Sequence, residues 1–240
     1  QGRDYVFILT DKAAYVMQFV GPPFTFSVRQ VGTNCGCIGH NAAAFANGKV
    51  FWMADSGGFF MFDGTVKNLS CNVEDYIFDD INYTSGQVVA AGVNNLYSEI
   101  TWFYPTASSS VVNRYTSYNF AESAGVPGGV WMTGSLARTG WIDSDVQPNP
   151  YATEYLTSTD TSDTPLVYGN SEGITKMYKH EVGNNAVTST GTSTAIAAYI
   201  QSGDFDLDVD GDGEYIMKIR RFIPDFKTLT GTAKLSLNLK

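Results

Sequence analysis

Val6-Phe7-Ile8-Leu9-Thr10-Asp11 followed by Tyr15-Val16-Met17, and 44 residues later Val50-Phe51-Trp52-Met53-Ala54-Asp55 followed by Phe59-Phe60-Met61-Phe62, decide how this chain is read. Each is an apolar run of strand length, a small or polar turn, and a second run carrying aromatic or β-branched residues. The phrase returns at Val130-Trp131-Met132 leading to Trp141-Ile142, and at Leu166-Val167-Tyr168 leading to Ile174-Thr175-Lys176-Met177-Tyr178; a looser copy starts at Val88. The starts at 6, 50, 88, 130 and 166 are separated by 44, 38, 42 and 36 residues. A four-stranded propeller blade needs about 40–50. The expectation is an all-β, β-propeller-like fold of antiparallel meander blades, forming a single domain over residues 1–240.

Turn chemistry agrees with short antiparallel strands. Asn47-Gly48 and Asp63-Gly64 tolerate the positive φ of tight hairpins, and Gly57-Gly58 and Asn94-Asn95 can do the same. Proline falls at loop positions, in Gly21-Pro22-Pro23 and in Gln147-Pro148-Asn149-Pro150, where a missing N–H breaks no ladder. The second cluster is expected to divide blades. One segment reads as helix: Val73, Tyr76, Ile77 and Ile81 share a face, Asn72 stands at the N-cap, and Glu74 and Asp75 occupy the first turn. Asp79-Asp80 oppose the dipole at the other end, so a short helix over 73–81 is expected to stop soon after Ile81.

Composition supports this reading and excludes several functions. Of 240 residues 43% are hydrophobic and only 16% charged, with 24 Gly, 14 Tyr and 15 Phe; an average soluble domain is about 25% charged. The 24 acidic against 15 basic residues leave a net charge of −9, which argues against gripping nucleic-acid phosphates by counterion release. The longest uncharged stretch, Val182 to Gly203, is rich in Ser, Thr, Gly and Asn, so no transmembrane helix is expected. The sequence enters a strand at once, at Tyr5-Val6-Phe7-Ile8-Leu9, which implies either no targeting segment or a start inside a larger chain. Three cysteines, Cys35, Cys37 and Cys71, cannot all pair and read as reduced, packed thiols.

Candidates for chemistry are sparse. His40 and His180 are the only histidines, and no HExxH or GxSxG spacing occurs. Cys35-Gly36-Cys37 offers two thiolates, but a zinc motif has wider spacing and a second ligand pair, so packing is the preferred role. Asp206-Leu207-Asp208-Val209-Asp210-Gly211-Asp212-Gly213-Glu214 matches the first half of an oxygen-rich calcium loop, yet position twelve is Met217 rather than a bidentate Glu. An acidic, solvated hairpin tip is the competing account of that loop. Asp55, Asp63, Asp79 and Asp80 are the carboxylates that could pair for glycoside hydrolysis. Trp52, Phe59, Phe60, Trp131 and Trp141 could stack sugars, although at strand period they more often fill space between sheets. The sequons Asn68-Leu69-Ser70 and Asn82-Tyr83-Thr84 are short enough to arise by chance.

Taken together, several stretches resemble a known family. They are Thr10-Asp11, Tyr15 to Phe26 with its Gly21-Pro22-Pro23-Phe24-Thr25-Phe26 end, Asn34-Cys35-Gly36-Cys37-Ile38, Asn47 to Met53, Phe62 to Val66, Cys71 to Asn82, Ser202 to Asp206 and Arg221 to Phe226. In these the chain resembles the tail-nozzle, or packaged-DNA-stabilising, β-propeller proteins of short-tailed bacteriophages. The resemblance spans about Asp4 to Phe226 and rests on packing and turn residues.

What it implies is a virion protein assembled in the bacterial cytoplasm, a homo-oligomeric ring below the portal. The ring would contact the head-to-tail adaptor on one face and other tail or fibre proteins on the other. Duplex DNA would pass through it during ejection without specific binding, and no membrane is involved. The family's members are usually longer, so a fragment or a shortened member is expected. In the family, residues 206–214 form a strand-to-strand turn. Pro22-Pro23-Phe24-Thr25-Phe26 is a candidate contact loop. Surfaces facing DNA are expected to be neutral or acidic, not lined by Arg3, Lys12, Arg29, Arg114 or Arg138. The reading assigns no catalytic residue, cofactor or metal; the alternative is a propeller-type glycoside hydrolase or carbohydrate-binding module.

Overall fold

The computed structural model describes residues 5–144, 146–156, 174–187 and 193–196, with short stretches at 199–201, 220–221, 223 and 234–236. The chain divides into two compact units, 1–196 and 197–240. All described strands and helices lie in the first; the described residues of the second carry neither.

The first unit is mostly β, arranged as successive antiparallel sheets in chain order. The first sheet holds β1 (Tyr5–Leu9), β2 (Ala13–Gly21) and β3 (Thr25–Thr33). The second holds β4 (Ala43–Ala46), β5 (Lys49–Met53), β6 (Phe59–Phe62) and β7 (Val66–Leu69). The third holds β8 (Ala90–Asn94), β9 (Glu99–Tyr104), β10 (Arg114–Asn119) and β11 (Trp131–Gly134). The fourth holds β12 (Gly140–Ile142), β13 (Tyr151–Leu156) and β14 (Ile174–Lys179), and a separate hairpin pairs β15 (Asn185–Val187) with β16 (Ser193–Ala195). Each sheet follows sequence order, the signature of a meander. The described strands do not close into a propeller or barrel.

The turns act as their chemistry predicts. Asn47 and Gly48 both take positive φ, 47° and 74°, and join β4 to β5 as a two-residue hairpin in which Ala46 faces Lys49. Two of the repeated phrases are therefore true hairpins, β1–β2 and β5–β6. The third is not. Trp131 pairs with Tyr118 in the third sheet, whereas Trp141 pairs with Ala152 in the fourth, so residues 135–139 cross between sheets. Two apolar runs look alike whether they pair with each other or with outside neighbours. The Pro148 and Pro150 cluster also departs from expectation: it lies within the loop between the paired strands β12 and β13, not between sheets. The phrase at Leu166-Val167-Tyr168 lies outside the described residues.

The helix is shorter than expected. α1 spans Glu74–Phe78, preceded by Val73 at φ −118° with no side-chain cap, so Asn72 does not serve as the N-cap. Ile77 and Ile81 are buried as the periodicity implied, but Asp79 and Asp80 oppose the dipole and Ile81 instead bridges to Thr106. Capping chemistry is used later. Asn82 Oδ1 accepts from Ser85 N–H at the start of a 3₁₀ turn over Tyr83–Val88 that the sequence pattern did not signal.

Two apolar seams organise the core. Tyr5, Phe7, Leu9, Ala14 and Val16 of the first sheet meet Trp52, Phe60 and Phe62 of the second. Phe51, Met53 and Phe59, from the opposite face of the second sheet, meet Ile100, Trp102 and Tyr104 of the third. Alternation along β5 thus serves both neighbours, as period-2 geometry requires. The leading strands also stand in a row: β4 lies against β8 and β8 against β12, with Ala91 N–H donating to Asn41 O at 2.8 Å.

Candidate functional site

An extended exposed apolar feature is the β2–β3 ribbon. Nine-residue strands carry it, with register shifts after Ala14 and Phe19, and its turn contains a cis Pro22–Pro23 bond. Phe24 is 80% exposed and Phe19 63%, with Val20, Phe26 and Val28 also exposed. Phe19 and Phe26 face each other across the strands, their rings edge-to-face at 5.8 Å. From Gln18 to Gln30 the only charged residue is Arg29. Burial of one face would ordinarily force alternation; here both faces of the ribbon's outer part are open, so large apolar residues appear on each.

A strongly perturbed ionisable group lies between the third and fourth sheets. Arg138 is buried; its Nη1 reaches Glu154 Oε2 at 3.2 Å, its Nε donates to His180 Nε2 at 2.9 Å, and its guanidinium covers the Tyr178 ring at 4.3 Å. Burial, followed by the neighbouring Arg138 charge, pushes His180 down to about 4, so the ring is neutral at pH 7 and accepts through Nε2. Trp141 packs on His180 at 4.6 Å and donates to Val93 O at 2.7 Å. Gly92 allows this approach: a Cβ there would lie 2.5 Å from the indole. Asn94 Nδ2 donates to Glu181 Oε1 and Asn95 N–H to Asp143 Oδ2 across the same seam. His180, one of the two histidines, and Arg138, expected to stay off any DNA-facing surface, are parts of one polar joint. Nothing in their local sequence signals it, since the partners come from residues 137–180 folded across two strands.

The carboxylates do not converge as a set. Asp63 sits at the β6–β7 turn and holds Lys67 at 2.6 Å, a contact that lowers its carboxyl pKa. Asp80 pairs with Arg114 at 3.2 Å, and Arg114 also donates to the Tyr76 hydroxyl. Asp55 and Asp79 lie near Tyr83, whose hydroxyl pKa is raised by burial and then by their charges. Asp55 and Asp63 flank opposite ends of β6.

The cysteines are free thiols. Gly36 explains the Cys35-Gly36-Cys37 motif. A Cβ at Gly36 would fall 1.9 Å from Asp11 O, because Cys35 N–H and Cys37 N–H donate to Lys12 O and Thr10 O across the β1–β2 turn. Burial raises all three thiols, Cys71 to about 12. Among the described residues no group of three or more His, Cys, Asp and Glu is placed to hold a metal. Residues 206–214 and Arg3 lie outside the described residues.

Trp52 and Phe59 are fully buried between sheets, Phe60 stacks on Trp52, and Trp131 lies on Phe59 at 4.6 Å. With Trp141 they serve packing. No helix among the described residues is long and apolar enough to cross a membrane. Comparison with known proteins finds no matching family model and no matching curated protein.

Proposed function

We propose that this chain is a structural component of a phage tail, a propeller-like subunit of the nozzle ring below the portal and adaptor. In that role it closes and conducts the packaged genome rather than reacting with it. The observation that supports this reading best is the row of leading strands, β4 beside β8 beside β12, with each sheet packed face to face on the next. Such an array is built for rigidity. The sequence resemblance supplies the setting, and the exposed β2–β3 ribbon supplies an apolar surface for a neighbouring copy in a closed, heterologous ring. The −9 charge suits a conduit past which phosphates slide.

Immunolabelling of virions tests the assignment: antibody against this chain should mark the tail below the portal. Labelling of the capsid shell, or no labelling, ends the proposal. The solution mass separates it from a monomeric hydrolase or carbohydrate-binding module, because a ring component assembles beyond the 26.1 kDa monomer.

A further inference from the structure

Asn94 and Glu99 close the β8–β9 hairpin as directly opposed residues, so their side chains leave the same face of the third sheet. Glu181 reaches that face from just beyond β14. Its backbone is held there in the left-handed region, at φ 57°, with Asn149 Nδ2 donating to Glu181 O at 3.0 Å and His180 N–H donating to Pro150 O at 2.8 Å. Asn94 Nδ2 donates to Glu181 Oε1 at 3.0 Å. Two strands of the third sheet and the residue pair that follows the fourth thus bring three oxygen-bearing side chains to one end of the seam.

The chemistry at that point is unbalanced. Burial raises the Glu99 carboxyl and the Glu181 charge raises it further, which places the two carboxylates within electrostatic reach of each other. Among the described residues the ion pairs are Lys67–Asp63, Arg114–Asp80 and Arg138–Glu154, and none involves Glu99 or Glu181. Asn94 is only 6% exposed, and its Oδ1 is buried with no hydrogen-bond donor. The Nδ2 contact fixes the orientation of the amide, because exchanging oxygen and nitrogen would set Oδ1 against the Glu181 carboxylate. Oδ1 shares its amide carbon with Nδ2, so it too lies beside Glu181, on the face that carries Glu99. A buried acceptor without a donor and two carboxylates without a cation are each costly, and one positive ion at this point offsets both.

We propose that Asn94 Oδ1, Glu99 and Glu181 form a calcium site that fastens the end of β14, and with it the fourth sheet, to the β8–β9 hairpin. All three ligands are hard oxygens, which favours a cation of the magnesium and calcium class over zinc or copper. Carboxylates and an amide on separate elements suit calcium, whose coordination tolerates irregular geometry, better than magnesium, which demands a near-octahedral set. Glu181 is exposed and Glu99 half-buried, so a hydrated ion reaches the cluster from solvent and keeps waters in its remaining positions. With two carboxylates and one amide oxygen, a dissociation constant of about 10⁻⁴–10⁻³ M is expected. The site shares no residue with the acidic run Asp206 to Glu214, and the inference does not depend on the phage reading.

The test is thermal unfolding of the full 240-residue chain, first treated with chelator, in calcium chloride against sodium chloride of equal ionic strength. Calcium at about ten times the dissociation constant should raise the melting temperature by about 3–6 °C beyond the sodium control. Glu99→Gln should remove that rise yet leave the chelated protein at least as stable as the parent, because it deletes a half-buried charge that Glu181 repels. Glu181→Gln, at an exposed position, should also remove the rise while the chain stays folded. Asp208→Asn with Asp210→Asn should leave the rise intact. No rise beyond the sodium control overturns the proposal, and is the result expected if water alone satisfies Asn94 Oδ1. So does a rise that survives both Glu99→Gln and Glu181→Gln, or one that the Asp208 and Asp210 changes abolish. A chelated Glu99→Gln protein that melts below the parent also overturns it, since that carboxylate would then serve the fold without an ion.

Discussion

The two faces of the third sheet solve the same packing problem in opposite ways. Toward the second sheet it presents Ile100, Trp102 and Tyr104 to Phe51, Met53 and Phe59, a dry seam whose largest members are wholly buried. Its two indole N–H groups are tied off: Trp102 Nε1 donates to Ala42 O at 3.0 Å, and Trp131 Nε1 to Ser70 O. Toward the fourth sheet it presents Gly92 and Phe103 to Trp141 and Asn94 to Glu181, and the joint is completed by Arg138, Glu154 and His180. The first seam draws on apolar area, which is non-directional and tolerant of small shifts. The second draws on oriented hydrogen bonds around a buried cation, which hold one geometry and cost heavily when a single partner is lost.

Truncating the dry seam should do the most damage. Trp102→Ala removes a fully buried indole and one of the two donors to Ala42 O, so a loss of about 3–5 kcal/mol is expected in denaturant unfolding. A loss under about 1 kcal/mol would show that this seam is not the main source of cohesion.

The polar seam should break with a different signature. Arg138→Met alone strands Glu154 and removes the donor to His180, at a cost of about 2–3 kcal/mol. Adding Glu154→Met should recover part of that loss, because no uncompensated carboxylate then remains. A double-mutant cycle with no coupling would remove the distinction between the seams.

Acid should discriminate between them without mutation. His180 falls from an ordinary 6.5 to about 4 in the folded chain, so between these values the unfolded chain binds the proton and the folded one does not. Its contribution is complete above about pH 6.5, declines as pH falls toward about 4, and changes no further below that. Melting temperature measured across this window should fall, and His180→Phe should flatten the slope attributable to this residue.

The smallest effect on stability belongs to the ribbon, which lies in neither seam. Phe24→Ser with Phe26→Ser should change unfolding free energy by no more than about 0.5 kcal/mol, since both rings are exposed. Sedimentation should nevertheless show weakened self-association if the ribbon contacts a neighbouring copy.

Much of the second sheet was legible beforehand. Asn47-Gly48 named its turn, the apolar run Val50-Phe51-Trp52-Met53 read as a strand, and Phe59 to Phe62 read as its partner. The polar joint was not legible, because Arg138, Glu154 and His180 are separated by 16 and 42 residues from their partners and each alone resembles a solvated residue. Trp131 and Trp141 show the same limit: ten residues apart in similar phrases, they belong to different sheets.

The sequence by itself determined the class of structure, the positions of tight turns and which residues must leave water, because φ preferences and side-chain alternation act within a few residues. Tertiary structure alone decided which strand pairs with which, why Gly36 and Gly92 cannot carry a side chain, and where α1 ends. Those outcomes depend on backbones distant in sequence being brought within a few ångströms, and local propensity carries no record of such neighbours.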